Sequence, residues 1–287
     1  MHYSRHALGL VAATAVALPL QAQTAPATVA YDAPGITNTG NFSFEATADI
    51  VSVYMFRGYE QTDNGIILQP GASIGTDLGD TGFDLTLGTW HSFHTDHTGS
   101  GASSPSSWYE ADFYATVGYE LDQFSLSATL TGYYSPAGNF GDIEEISFTA
   151  EYDDSAYLEE WAVNPYATLA FEIRDSGGSE DIYLEIGGAV GAPFIDSESM
   201  GVEMSFPFAI GFSLDDYYQD AGGSNETWGF LRIGAEATMD LDMIPAEYGA
   251  WTGTVGLDLW FVNEDANLLD SGDDFQPVLR AGVALTY

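Results

Sequence analysis

The chain has 287 residues, 43 acidic against 5 basic side chains, a formal net charge of −38 and no cysteine. The missing thiols exclude a disulfide framework, thiol catalysis and thiolate metal sites. The charge excludes capture of nucleic acid through a basic patch and instead draws cations to the protein.

Residues 1–22 read as a secretory signal peptide. His2, Arg5 and His6 open it, Ala7 to Leu20 is apolar, and Leu20-Gln21-Ala22 suits cleavage. Residues 23–42, rich in Ala, Thr, Pro and Gly, form a flexible lead-in. No later stretch reaches the roughly 18 uninterrupted apolar residues of a membrane helix.

From residue 43 onward the pattern is alternation. Strands are expected near 43–57, 66–76, 82–93, 108–121, 123–134, 143–152, 163–174, 181–191, 201–214, 227–240, 250–262 and 275–287. In the ninth, Val202, Met204, Phe206, Phe208, Ile210, Phe212 and Leu214 alternate with Glu203, Ser205, Pro207, Ala209, Gly211 and Ser213. Side chains alternate across a strand, so each segment has one bulky apolar face and one face of small or polar residues. A soluble sandwich dresses its polar face with long charged side chains. Here that face is Gly, Ser, Thr and Ala with isolated acids and arginines, which suits a crowded, hydrated interior with Leu, Ile and Phe turned to lipid. Tyr54, Phe56, Tyr119, Tyr134, Tyr152, Trp251 and Phe261 fall where interfacial aromatic girdles would lie.

These observations predict an all-β fold: a single antiparallel up-and-down transmembrane β-barrel of about 12 strands over residues 43–287, with a backbone diameter of roughly 25 Å. With an even strand count both termini share one end. The connections 153–162 and 193–200 are long for that end, and Tyr157 to Trp161 reads as a small plug or cap.

The first hairpin carries Tyr54-Met55-Phe56-Arg57-Gly58, then Thr62-Asp63-Asn64-Gly65 and Gln69-Pro70. With Trp108-Tyr109-Glu110-Ala111-Asp112-Phe113-Tyr114 and the terminal Tyr287, it resembles the opening of the TorF-type family of outer-membrane porins. The resemblance implies an outer-membrane barrel and passive solute transport, and brings no catalytic residues. The strong acidity departs from the family pattern; it also suits a saline habitat.

Arg57, Arg174, Arg232 and Arg280 fall on the polar face or at strand ends, together with Glu110, Asp112, Glu203, Glu236 and Asp258. These residues are expected to line the lumen, either as cross-strand ion-pair networks or as a charged constriction that sets ion selectivity. His91, His94, His97 and Asp96 are the candidate metal ligands, although three-residue spacing does not by itself place imidazoles together. The acids of 263–274 could hold calcium loosely but lack EF-hand spacing. No Gly-x-Ser-x-Gly or His-Glu-x-x-His motif occurs, so an enzyme is not expected, nor a cofactor.

The resulting expectation is a porin in a Gram-negative-type outer membrane, passing small solutes or ions with a preference for cations. Its partners would be outer-membrane lipid and the solutes themselves. A closed structural or surface-interaction barrel is the alternative, and a secreted soluble β-sandwich binding module is a second.

Overall fold

A computed structural model describes residues 41–95, 107–176, 180–191, 201–266, 268–269 and 272–287. The signal-peptide and most of the lead-in expectations, and those for Asp96 and His97, lie outside the described residues.

Alternation of a bulky apolar face with a small polar face produces strands that can close on themselves, leaving no edge. The chain does this. Strands β1 (Phe42–Val51), β2 (Tyr54–Phe56), β3 (Tyr59–Thr62), β4 (Ile67–Asp77), β5 (Phe83–His94), β6 (Trp108–Leu121) and β7 (Phe124–Tyr134) come first. They are followed by β8 (Ile143–Tyr152), β9 (Tyr166–Asp175), β10 (Ile182–Gly191), β11 (Glu203–Asp215), β12 (Trp228–Asp240), β13 (Ala250–Val262) and β14 (Phe275–Thr286). All except β2 and β3 join one closed antiparallel barrel of 12 strands, each paired with its sequence neighbours, and β1 closes on β14. The closing register sets Glu45 opposite Thr286 and Val51 opposite Arg280, so both ends of the barrel sequence lie at one rim, the near end. The closed wall excludes the two-sheet sandwich.

The faces sort as a membrane barrel requires. Outward side chains are exposed and apolar, among them Leu279 at 62 %, Val255 at 57 % and Phe113 at 54 %. Aromatic pairs ring the outside at both rims: Phe83 with Tyr119 and Phe124 with Tyr152 at the near end, Phe93 with Trp108 and Phe261 with Phe275 at the far end. Toward the near end many inward positions are small or hydroxylated, and hydroxyls pair across strands: Thr116 with Thr129 and Thr149 with Thr168, both at 2.9 Å. No helix is long and apolar enough to cross a membrane among the described residues.

The first strand departs from the expected 43–57. Its barrel pairing ends at Val51, and β2 and β3 turn inward as a separate two-stranded hairpin from the far end. Arg57 and Gly58 make the turn, with φ of 43° and 89°. Two successive positive φ values are what a tight hairpin turn between twisted strands requires, and Gly at the second supplies one at no steric cost. Tyr54 and Phe56 therefore leave the expected girdle for the lumen, where Phe56 is 0 % exposed.

Candidate functional site: the lumen and its inner hairpin

Lumen-facing side chains divide the barrel into two halves. The far half is packed. Around the hairpin lie Tyr133, Tyr183, Phe230 and Trp260 from the wall, Tyr217 and Tyr218 from the β11–β12 connection, and Leu268 from the β13–β14 connection, all buried. Gly58 sits against Phe230 and Leu268; a Cβ there would meet the Phe230 ring at 3.0 Å.

Arg57 is the hairpin's anchor. Its two terminal nitrogens donate to the two oxygens of Glu145 at 2.7 and 2.9 Å, and its guanidinium lies 4.2 Å from the Tyr183 ring centroid. Paired donors on paired acceptors, with a cation over an aromatic face, is the geometry in which arginine binds most strongly. Tyr133 adds a hydroxyl donor to Glu145 at 3.2 Å. Further hydroxyls fix the hairpin to its surroundings: Tyr54 donates to Glu110 at 2.9 Å, Tyr59 to the Tyr217 carbonyl at 2.9 Å, and Tyr218 to the Arg57 carbonyl at 2.8 Å.

Glu110 and Asp112 project inward from β6 beneath Tyr54, both 1 % exposed. A bulge at Ser92 and Phe93 of β5 against β6 turns Tyr109 inward beside Glu110, and its hydroxyl donates to Gln61 at 2.7 Å.

The near half is lined by Thr, Ser and carboxylates. Arg280 of β14 reaches across Gly256 of β13 to pair with Glu236 of β12. A Cβ at Gly256 would lie 3.3 Å from an Arg280 nitrogen, so the missing side chain clears the path. Asp49 of β1, opposite Gly282, lies on the other side of the same guanidinium. Higher up, Arg232 is buried over Trp260, with its Nε 3.9 Å from Asp258. Glu185 accepts hydroxyls from Tyr166 and Tyr183, both at 2.6 Å.

Of the residues expected to line the lumen, Arg57, Arg232, Arg280, Glu110, Asp112, Glu236 and Asp258 face the interior. Arg57 does so from the hairpin turn and not from a wall strand. Glu203 is exposed at the near mouth. Arg174 stands at the far rim, 53 % exposed and paired with Glu144. A register shift between Glu144 and Glu145 brings Arg174 opposite the outward-facing Glu144, so it does not enter the lumen.

The histidines do not assemble. His94 faces inward, stacked on Tyr109 with ring centroids 4.6 Å apart. His91 faces outward beside Trp108 and Phe113. Odd spacing on a strand puts side chains on opposite faces, so the two share no ligand set. Among the described residues no three His, Asp or Glu side chains form a group that could hold a metal ion.

Sequence reasoning missed Asp49, although it shares parity with Glu45 and Thr47. It also missed the tyrosines that hold the hairpin, whose aromatic character reads as girdle.

No protein-family model matches the chain, and no curated protein sequence matches it. The TorF-type resemblance of the first hairpin therefore stands on its motif alone. Solved structures do match. The COG4313 outer membrane channel from Pseudomonas putida F1 is 12 % identical, covers 86 % of this chain and 96 % of its own, and superposes with a TM-score of 0.50. The translocator domain of autotransporter NalP from Neisseria meningitidis is 10 % identical, over 87 % of this chain and 90 % of its own, with a TM-score of 0.40. The KdgM porin is 7 % identical, over 85 % and 99 %, with the same TM-score of 0.40. Similarity at these identities is similarity of fold: this chain shares its β-barrel architecture with the COG4313 outer membrane channel.

Proposed function

We propose that this chain is an outer-membrane porin for passive diffusion of small solutes or ions, with a preference for cations. One observation carries the reading: a closed barrel whose outer wall is exposed and apolar while the near half of its lumen is lined by hydroxyls and carboxylates, the buried aromatic cluster being confined to the far half. The sign of the selectivity follows from the lumen charge. Glu45, Asp49, Glu151, Glu185 and Glu236 face the near half against Arg280, and carboxylates also outnumber Arg57 and Arg232 above them. An acidic wall concentrates cations and repels anions. On this reading residues 1–22 export the chain, 23–42 lead into the barrel, and its partners are outer-membrane lipid and the permeating solutes. No catalytic role is assigned.

The buried inner hairpin supports a second reading, a closed barrel with no transport. The hairpin fills the far half, so conduction in a porin of this design runs past it or follows its displacement. Single-channel recording of the refolded full chain in planar bilayers separates the two. Discrete openings support the porin. Their absence across salt and voltage supports the closed barrel.

A further inference from the structure

The connection between β8 and β9 at the near end is not the lumen plug that its sequence suggests. Residues Ser155–Leu158 form a single α-helical turn, α1, followed by a 3₁₀ turn at Glu159–Trp161. Tyr157 is 70 % exposed, and Leu158 and Trp161 are also exposed. Glu159, with φ of 51°, ends the α-helical turn between Tyr157 and Trp161, so each is placed by its neighbours, and these lie on the outside of the barrel. Tyr157 lies close to Tyr152, an outward residue whose ring packs on Phe124 at 4.9 Å. Val163, two residues after Trp161, covers the outward face of Gly188.

The segment is braced rather than loose. Asp154 accepts the backbone N–H groups of Val163 and Asn164 at 2.9 and 3.0 Å, and Asp153 accepts that of Ser155 at 2.9 Å. Holding three large apolar side chains in water on a rigid turn is unfavourable unless something covers them. Tyrosine and tryptophan, with an apolar body and a polar tip, are the side chains that settle at a membrane–water boundary. The β12–β13 connection repeats the arrangement a third of the way round the rim. There Met243 and Tyr248 are exposed, and Leu241 packs over the outward side of Gly253.

We propose that Tyr157, Leu158 and Trp161 form a foot seated in the headgroup region of the leaflet on the near side, with zwitterionic phospholipid as its partner. The inference rests on the outer-membrane reading above. Continuity with the Phe124–Tyr152 pair of the outer wall places the foot level with the lipid boundary. The connection holds Asp153, Asp154, Glu159 and Glu160 and no basic residue, which disfavours anionic headgroups.

Because the chain has no cysteine, Trp161→Cys gives a unique site for an environment-sensitive fluorophore. The labelled full chain is refolded into phosphatidylcholine vesicles, with Tyr157→Cys as a second, independent label site. The expected result is blue-shifted emission, quenched more strongly by a lipid nitroxide at headgroup depth than by aqueous iodide. Water-like emission with strong iodide quenching overturns the foot. So does shielding from both quenchers, which would mean that another part of the chain covers it. If no heat-modifiable, vesicle-bound barrel forms, the membrane reading fails and the foot fails with it.

Discussion

Arg57 and Glu145 are 88 residues apart in sequence and meet as a two-point ion pair, Nη1 to Oε2 at 2.7 Å and Nη2 to Oε1 at 2.9 Å, inside the barrel. One partner is on the inward hairpin and the other on wall strand β8, so this pair ties the hairpin to the wall. Removing one member of a buried ion pair leaves the other uncompensated, at a cost of about 3–5 kcal/mol. Glu145→Gln is therefore expected to release the hairpin: the chain becomes cleavable by protease near Arg57 and its single-channel conductance rises. Unchanged protection and conductance would show that the tyrosine contacts hold the hairpin unaided.

Gly58 makes a second, independent test of the hairpin. Its φ of +89° and the Phe230 ring 3.0 Å from a would-be Cβ both oppose a side chain. The left-handed conformation alone costs an L-residue about 1–2 kcal/mol. Gly58→Ala should lower the urea midpoint of the refolded barrel and increase conductance in the same direction as Glu145→Gln. A Gly58→Ala barrel with wild-type stability would contradict the tight turn.

Much of this wall was legible from alternation, and the reason is physical: one residue of register slip would turn every apolar side chain into the lumen. The expected 250–262 coincides with β13, and 201–214 differs from β11 by only a residue or two at each end. The failure at 43–57 has an equally definite cause. Alternation distinguishes two faces but not which of them meets lipid, and Tyr54 and Phe56 face a lumen that aromatic side chains have already filled. The turn itself was readable, since Arg57-Gly58 between aromatic residues suits a two-residue hairpin. The pairing of Arg57 with Glu145 was not, because a contact spanning half the barrel depends on where the hairpin docks.

The β11–β12 connection should respond to acid. Backbone N–H groups of Ser224 and Gly222 donate to Asp220 at 2.8 Å and hold its carboxyl below the ordinary 3.8. A lowered carboxyl stabilises the fold fully above its unfolded value, and that contribution is lost as pH falls through the folded one. The same connection carries Tyr217 and Tyr218, which bond the hairpin. Amide-exchange protection at Ser224 should hold near neutrality and fall as pH drops below the ordinary carboxylate range; Asp220→Asn should remove this pH dependence. Protection that is flat with pH in the wild type would contradict the account.

Selectivity should follow lumen position. Glu236→Gln removes the Arg280 partner and a lumen charge together, and Asp258→Asn removes the carboxylate nearest Arg232. Both should shift the reversal potential toward anions. Glu203→Gln, exposed at the mouth, should shift it less, because water and salt screen a charge there. At 1 M salt the Debye length falls to about 3 Å and all three shifts should shrink. Equal shifts from mouth and interior would rule out control by the inner wall.

The most direct test of the central claim is the reversal potential of single channels of the wild-type chain in a planar bilayer under a potassium chloride gradient. An acidic, hydrated lumen predicts discrete openings whose reversal potential moves toward that of potassium. Reversal toward chloride would contradict the charge argument, and the absence of openings at every voltage would contradict the porin.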